Sequence, residues 1–122
     1  MLSHIFTTPV LKDSAVLDEP TLAQIRDYLL EIREKSPGET KSNRGGWHSS
    51  GNLFDPEEYK SFPAMQEAVT KAVFRYIAES FGYRGEIQLS LTGWTVINHA
   101  GHYNAPHNHA ANLLSGALYI SV

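Results

Sequence analysis

Four of the chain's six histidines fall within one short run, Asn98 to His109, which leads straight into the apolar stretch from Leu113 to Val122. The last two, His107 and His109, stand at i and i+2. On an extended strand that spacing puts both imidazoles on one face, because strand side chains alternate with period two. Two neutral imidazoles on one face suit a divalent transition metal, which takes nitrogen and oxygen ligands and can keep positions open for chemistry. The local residues leave a solvated histidine-rich turn open as the alternative. His99 and His102 do not share a strand face with the later pair and read as part of a turn.

Three metal-site patterns can be laid over the run. The zinc-protease pattern needs two histidines at i and i+4 on a helix with a glutamate between them. Here the pair is at i and i+2 in a segment containing Pro106 and three asparagines, so that pattern fails. A cupin-like opening fits Gly101, five residues and then His107-Asn108-His109, but no carboxylate follows from Ala110 to Leu114. The two-His-one-carboxylate facial triad of non-haem Fe(II) oxygenases fits in spacing, with His109 where the acid stands.

The remaining residues must position this run. The chain has 122 residues, enough to bury the core of one domain. Its 42% hydrophobic and 19% charged content is that of a globular protein, not a disordered one. A net charge of -3 without a Lys/Arg run gives no footprint for nucleic acid. Cysteine is absent, so any metal must be held by histidine and carboxylate. The N-terminal residues lack a basic start and a long apolar stretch, and no apolar run is long enough to span a membrane; an intracellular protein is expected.

Ile5-Phe6 and Val10-Leu11 flank Pro9 in a short extended opening segment. Leu22, Ile25, Leu29 and Ile32 predict an amphipathic helix, begun at Asp18-Glu19-Pro20 and stopped near Ser36 by Pro37-Gly38. Residues 37–53 are polar and glycine-containing, a loop long enough to be functional. Trp47 and His48 stand out in it: Trp47 as an anchor to the core or part of a lid, His48 as an extra ligand or substrate contact. Asp55-Pro56-Glu57-Glu58 predicts another helical segment. With Ser61 as N-cap, the stripe Met65, Ala68, Val69, Ala72, Val73, Tyr76 and Ile77 predicts the strongest helix, ended by Gly82. Ile87, Leu89 and Leu91 then alternate as a half-buried strand. A phase slip at Thr92-Gly93 precedes Trp94, Val96 and Asn98. A last strand runs from Leu113 to Val122.

Several stretches taken together resemble the 2-oxoglutarate/Fe(II)-dependent oxygenase family of bacterial and phage proteins. They are Leu2 to Pro9, Ser42-Asn43-Arg44-Gly45-Gly46-Trp47-His48-Ser49, Trp94-Thr95-Val96-Ile97-Asn98, and Asn104-Ala105-Pro106-His107-Asn108-His109 running into Leu114-Ser115-Gly116-Ala117-Leu118-Tyr119. The resemblance covers nearly the whole chain in the family's order. It implies an α+β chain: a mainly antiparallel double-stranded β-helix, or jelly roll, with flanking N-terminal helices. Residues 1–122 would be one unit, the N-terminal part of an oxygenase domain with an incomplete barrel. The implied cofactors are Fe(II) and 2-oxoglutarate. His107 would be the first iron ligand, with His109 in the slot of the acid. Asn98, Ser115 and Tyr119 would line the co-substrate pocket, and Trp47, His48 and Asn104 are the substrate or lid candidates.

The chain departs from that pattern after Tyr119. No histidine follows His109 and no arginine or lysine follows Arg84, so the family's distal ligand and its co-substrate arginine have no counterpart. A half jelly roll exposes strand edges and an apolar face. The expected partners are therefore a small-molecule co-substrate and a second copy or another chain that completes the barrel. Neither nucleic acid nor membrane is expected.

Overall fold

A computed structural model describes residues 7–14 and 16–121. His4, Ile5, Phe6, Val122 and the start of the resemblance at Leu2 lie outside the described residues. Helix α1 spans Glu19–Lys35. Its signals are local and all are used: the Asp18 carboxylate accepts from the Thr21 amide at 2.9 Å, Pro20 lies in the first turn, and Arg33 and Lys35 stand in the last. The helix stops at Ser36, as expected before Pro37. Ile25 and Leu29 are its buried residues.

Helix α2 spans Pro63–Phe81. Its N-cap is Phe62, not Ser61, and no side chain caps it. Pro63 begins the helix without a capping side chain, because proline has no N–H to satisfy and a preset φ. Phe62 is instead buried in the core, where its burial contributes about 1.5–3 kcal/mol. Gly82 ends the helix at φ 66°, its amide donating to the Ala78 carbonyl. The expected helical segment at Asp55 is a single turn: the amides of Glu58 and Tyr59 both donate to the Asp55 carbonyl, and the Asp55 carboxylate accepts from the Glu57 amide. An aspartate whose side chain satisfies the backbone two residues on favours a turn over a helix.

The core joins the two helices. Ile25 and Leu29 of α1 meet Phe62 and Met65, with Leu17, Tyr28, Ile32, Leu53, Phe54, Leu118 and Ile120 packed against them. The Tyr28 and Phe62 rings are 5.5 Å apart, and the Tyr28 hydroxyl accepts from the Lys60 amide.

The polar loop after α1 is where expectation and structure differ most. It forms two strands, β1 (Asn43–Arg44) and β2 (Trp47–His48). They pair antiparallel with β4 (Tyr103–Asn104) and β3 (Val96–Ile97) respectively. The pairing continues past both strands: Ala105 N donates to Ser42 O, Ser49 N to Thr95 O, and Leu53 N to Gly93 O. Residues 42–53 thus run alongside residues 93–105. The register breaks once, where Gly45-Gly46 lies opposite the five residues Asn98 to His102. Both glycines have positive φ, 71° and 70°. A Cβ on Gly46 would fall on the Asn98 amide oxygen and 2.8 Å from the Ile97 carbonyl oxygen; one on Gly45 would fall on the His102 ring. Only glycine meets both demands.

The segments on either side of these ladders carry no ladder of their own among the described residues. Even so, Ile87, Leu89 and Leu91 are half-buried while Gln88, Ser90 and Thr92 are exposed, so the expected period-two pattern holds in burial. From Leu113 onward, Leu118 and Ile120 pack on the core, while Leu113 is 88% and Tyr119 76% exposed. The described residues form a mixed α+β arrangement of two helices and two small antiparallel ladders. Among them no helix is long and apolar enough to cross a membrane. No Asp, Glu, Lys or Arg follows Glu86.

Candidate functional site

The ladders bring together rings that are far apart in the chain. His48, on β2, is stacked on Trp94 with ring centres 5.8 Å apart and planes 13° from parallel. Trp94 in turn meets His109 at 5.1 Å, and His109 meets His107 at 4.8 Å with the planes nearly perpendicular. The result is one continuous row, His48–Trp94–His109–His107. His48 is buried, at 7% exposure, Trp94 and His107 are exposed, and His109 is half-buried.

Hydrogen bonds set which ring nitrogens are free. His107 Nδ1 lies 2.8 Å from the Ala105 carbonyl oxygen, and His48 Nδ1 lies 2.7 Å from that of Ser49. A carbonyl can only accept, so each Nδ1 carries the proton and each Nε2 keeps its lone pair in the neutral ring. An Nδ1–H held by a backbone carbonyl is the arrangement that orients an imidazole for metal binding through Nε2. His102 is the reverse: its Nδ1 accepts from the His99 amide at 3.2 Å, which leaves the proton on Nε2. Although the His99 and His102 rings are 5.8 Å apart, they form a turn that holds itself, with the His102 amide donating back to the His99 carbonyl. This agrees with the turn reading of that pair.

The spacing of His107 and His109 can be tested against a shared ion. An ion about 2.1 Å from an imidazole nitrogen stands roughly 3.2 Å from the ring centre, so two rings on one ion at about 90–110° have centres roughly 4.5–5.2 Å apart. The observed 4.8 Å falls in that range. Among the described residues no group of three or more His, Asp or Glu side chains stands close enough to hold a metal. Trp94 lies between His48 and His109, which keeps His48 out of the pair's reach as a third ligand.

The other expected site residues are placed as follows. Trp47 donates its indole N–H to the Ser36 carbonyl at 2.9 Å, tying the ladder to the end of α1, which is the anchoring role. Asn98 has its amide oxygen against Gly46, at the register break. Asn104 lies on β4 opposite Asn43. Ser115 and Tyr119 stand on the exposed, odd-numbered side of their segment. Two open clefts, of about 450 and 480 Å³, lie instead along α2 near Tyr83 and Tyr76.

Two residues of the site carried no sequence signal of their own. Trp94 reads as one member of a strand, and its place between two histidines depends on the β2–β3 pairing. Ser49, only 1% exposed, accepts the Thr95 amide on its hydroxyl and so pins the segment that carries Trp94. Near the site, the Glu39 carboxyl is held below its ordinary range, chiefly by the hydrogen bond and charge of Lys41, with a smaller pull from His48. Compared with known protein families, with curated proteins and with solved structures, the chain has no significant match.

Proposed function

We propose that the chain carries the first half of the metal site of a 2-oxoglutarate- and Fe(II)-dependent oxygenase of the hydroxylase type, with His107 and His109 as two of the iron's ligands. The reading is supported chiefly by the 4.8 Å spacing of those rings, together with the His107 Nδ1–H fixed on the Ala105 carbonyl. In this reading the chain is part of a double-stranded β-helix and works in the cytoplasm.

The donor set fits a metal in part. Two imidazoles are present, and in this reading a third ligand is supplied from outside the described residues. The co-substrate does not fit the described residues alone, because no lysine or arginine follows Arg84 to meet its carboxylate and because Ser115 and Tyr119 are exposed. Its anchoring likewise falls outside the described residues, and the open side of residues 113–121 is the surface that a second copy or another chain completing the barrel would cover. Bound iron would supply the oxygen chemistry. The chain's own part is to hold two imidazoles at a fixed separation and to fix the proton of His107 on Nδ1.

A second reading, a non-catalytic assembly subunit of the same fold or a small cupin-like metal protein, is favoured by the lack of a third ligand grouped with the pair. Anaerobic titration of the purified chain with Fe(II) tests the site. One ion should bind to the wild type and none to His107→Ala, and retained stoichiometric binding by that variant would show the ligand assignment to be wrong. Adding 2-oxoglutarate and O₂ separates the readings. Succinate formed in step with Fe(II) supports the oxygenase, whereas bound metal without turnover, in the chain with its partner, supports the second reading.

A further inference from the structure

We infer that Trp94 is the positioning residue of the His107–His109 pair and that His48 acts through it. The inference rests on the proposed metal site and assigns a role to residues outside the ligand pair. Among the described residues no hydrogen bond fixes the His109 ring in the way the Ala105 carbonyl fixes His107. What it does have is a large flat neighbour, since the Trp94 ring lies 5.1 Å away, tilted by 47°.

Trp94 is itself held from behind. Its other neighbour, His48, is buried, has Nδ1 on the Ser49 carbonyl and sits in β2 with its backbone paired to Val96. On the same segment, the Thr95 amide donates to Ser49 Oγ and the Ser49 amide to the Thr95 carbonyl. The wall formed by His48 and Trp94 therefore cannot slide along the ladder without breaking both bonds between Ser49 and Thr95. Stacked aromatic contacts add orientation beyond the area they bury. A ligand whose ring plane is set by such a wall need not be ordered when the metal arrives.

Zn²⁺ affinity of the full chain, measured by calorimetry, is the test, with far-UV circular dichroism confirming the fold of each variant. Residues that orient a metal ligand typically change affinity by about 10–100-fold when removed. Trp94→Ala should weaken binding by that amount, Trp94→Leu should do nearly as badly because bulk without a flat ring does not orient the imidazole, and Trp94→Phe should restore most of the affinity. The wild type should also show a Zn²⁺-linked change in indole emission that Trp94→Phe loses while still binding. If the wild type binds Zn²⁺ and Trp94→Leu binds equally well, the positioning role is overturned and the metal site stands. If the wild type binds no Zn²⁺, the metal site itself is overturned and this inference with it.

Discussion

A polar stretch and an apolar one have structural states opposite to those their composition predicts. Residues 42–53 belong to the segment 37–53 that composition predicts to be a loop, and they are tied into ladders at both ends. The pattern from Leu113 to Val122 predicts a strand, yet residues 113–121 carry no ladder among the described residues and only rest Leu118 and Ile120 on the core. The first stretch is fixed by backbone and short side-chain hydrogen bonds: Asn52 alone accepts from the amides of Phe54 and Gly93 and donates to the Leu91 carbonyl. The second is fixed by apolar contact on one side. Strand propensity therefore did not decide which stretch is paired; an available partner with the right register did.

That contrast is open to attack by substitution. The largest effect is expected at the register break. Gly46→Ala places a Cβ on Asn98 and forces a non-glycine residue to φ 70°, so about 2–4 kcal/mol of stability should be lost, read as a lowered denaturant midpoint. Ser49→Ala leaves the Thr95 amide without its acceptor beside a fully buried position, and about 1–3 kcal/mol should go in the same assay. In the other stretch the effects should split by parity. Leu118→Ala should cost about 1–2 kcal/mol, below the range for a fully buried leucine because it is only half-buried. Leu113→Ser should stay within about 0.5 kcal/mol. Equal losses at Leu118 and Leu113 would sink the one-sided description.

The smallest effect concerns pH. The carboxyls of Asp18, Glu31 and Glu67 are held below their ordinary range by hydrogen bonds from Thr21, Lys35 and Lys71, as Glu39 is by Lys41. A carboxyl lowered in the folded state contributes stability that is present above its unfolded value and lost as pH falls through its folded value. Helix stability, followed by far-UV circular dichroism, should therefore be level near neutrality and decline below about pH 4. Asp18→Asn retains a capping oxygen without the titration and should flatten part of that decline.

How much was legible follows the range of the signals. Both long helices were, because Asp18, Pro20, Pro37 and Gly82 act on their own neighbours. The turn at Asp55 was misread because one side chain can serve either a cap or a turn, and Phe62 in the core decided where α2 begins. The ladders were not legible. Asn43 and Asn104 are sixty-one positions apart, and nothing local states that Gly45-Gly46 must admit Asn98 and His102. For the site, the two-residue spacing of His107 and His109 indicated that their rings could be near one another, but they stand beyond β4 and not on a strand face as expected. The row that continues through Trp94 to His48 exists only once β2 lies against β3.

One consequence follows from the lack of Asp, Glu, Lys and Arg after Glu86. All the ion pairs found among the described residues join groups in the first part of the chain, such as Arg75 with Asp13 and Glu79. Exposed charges are screened beyond about 8 Å at physiological ionic strength. Added salt should therefore loosen the helical half slightly and leave the histidine row and the open segment almost untouched. Residues 113–121 present a surface without a formal charge, which would discriminate by shape and backbone pairing rather than by ion pairs.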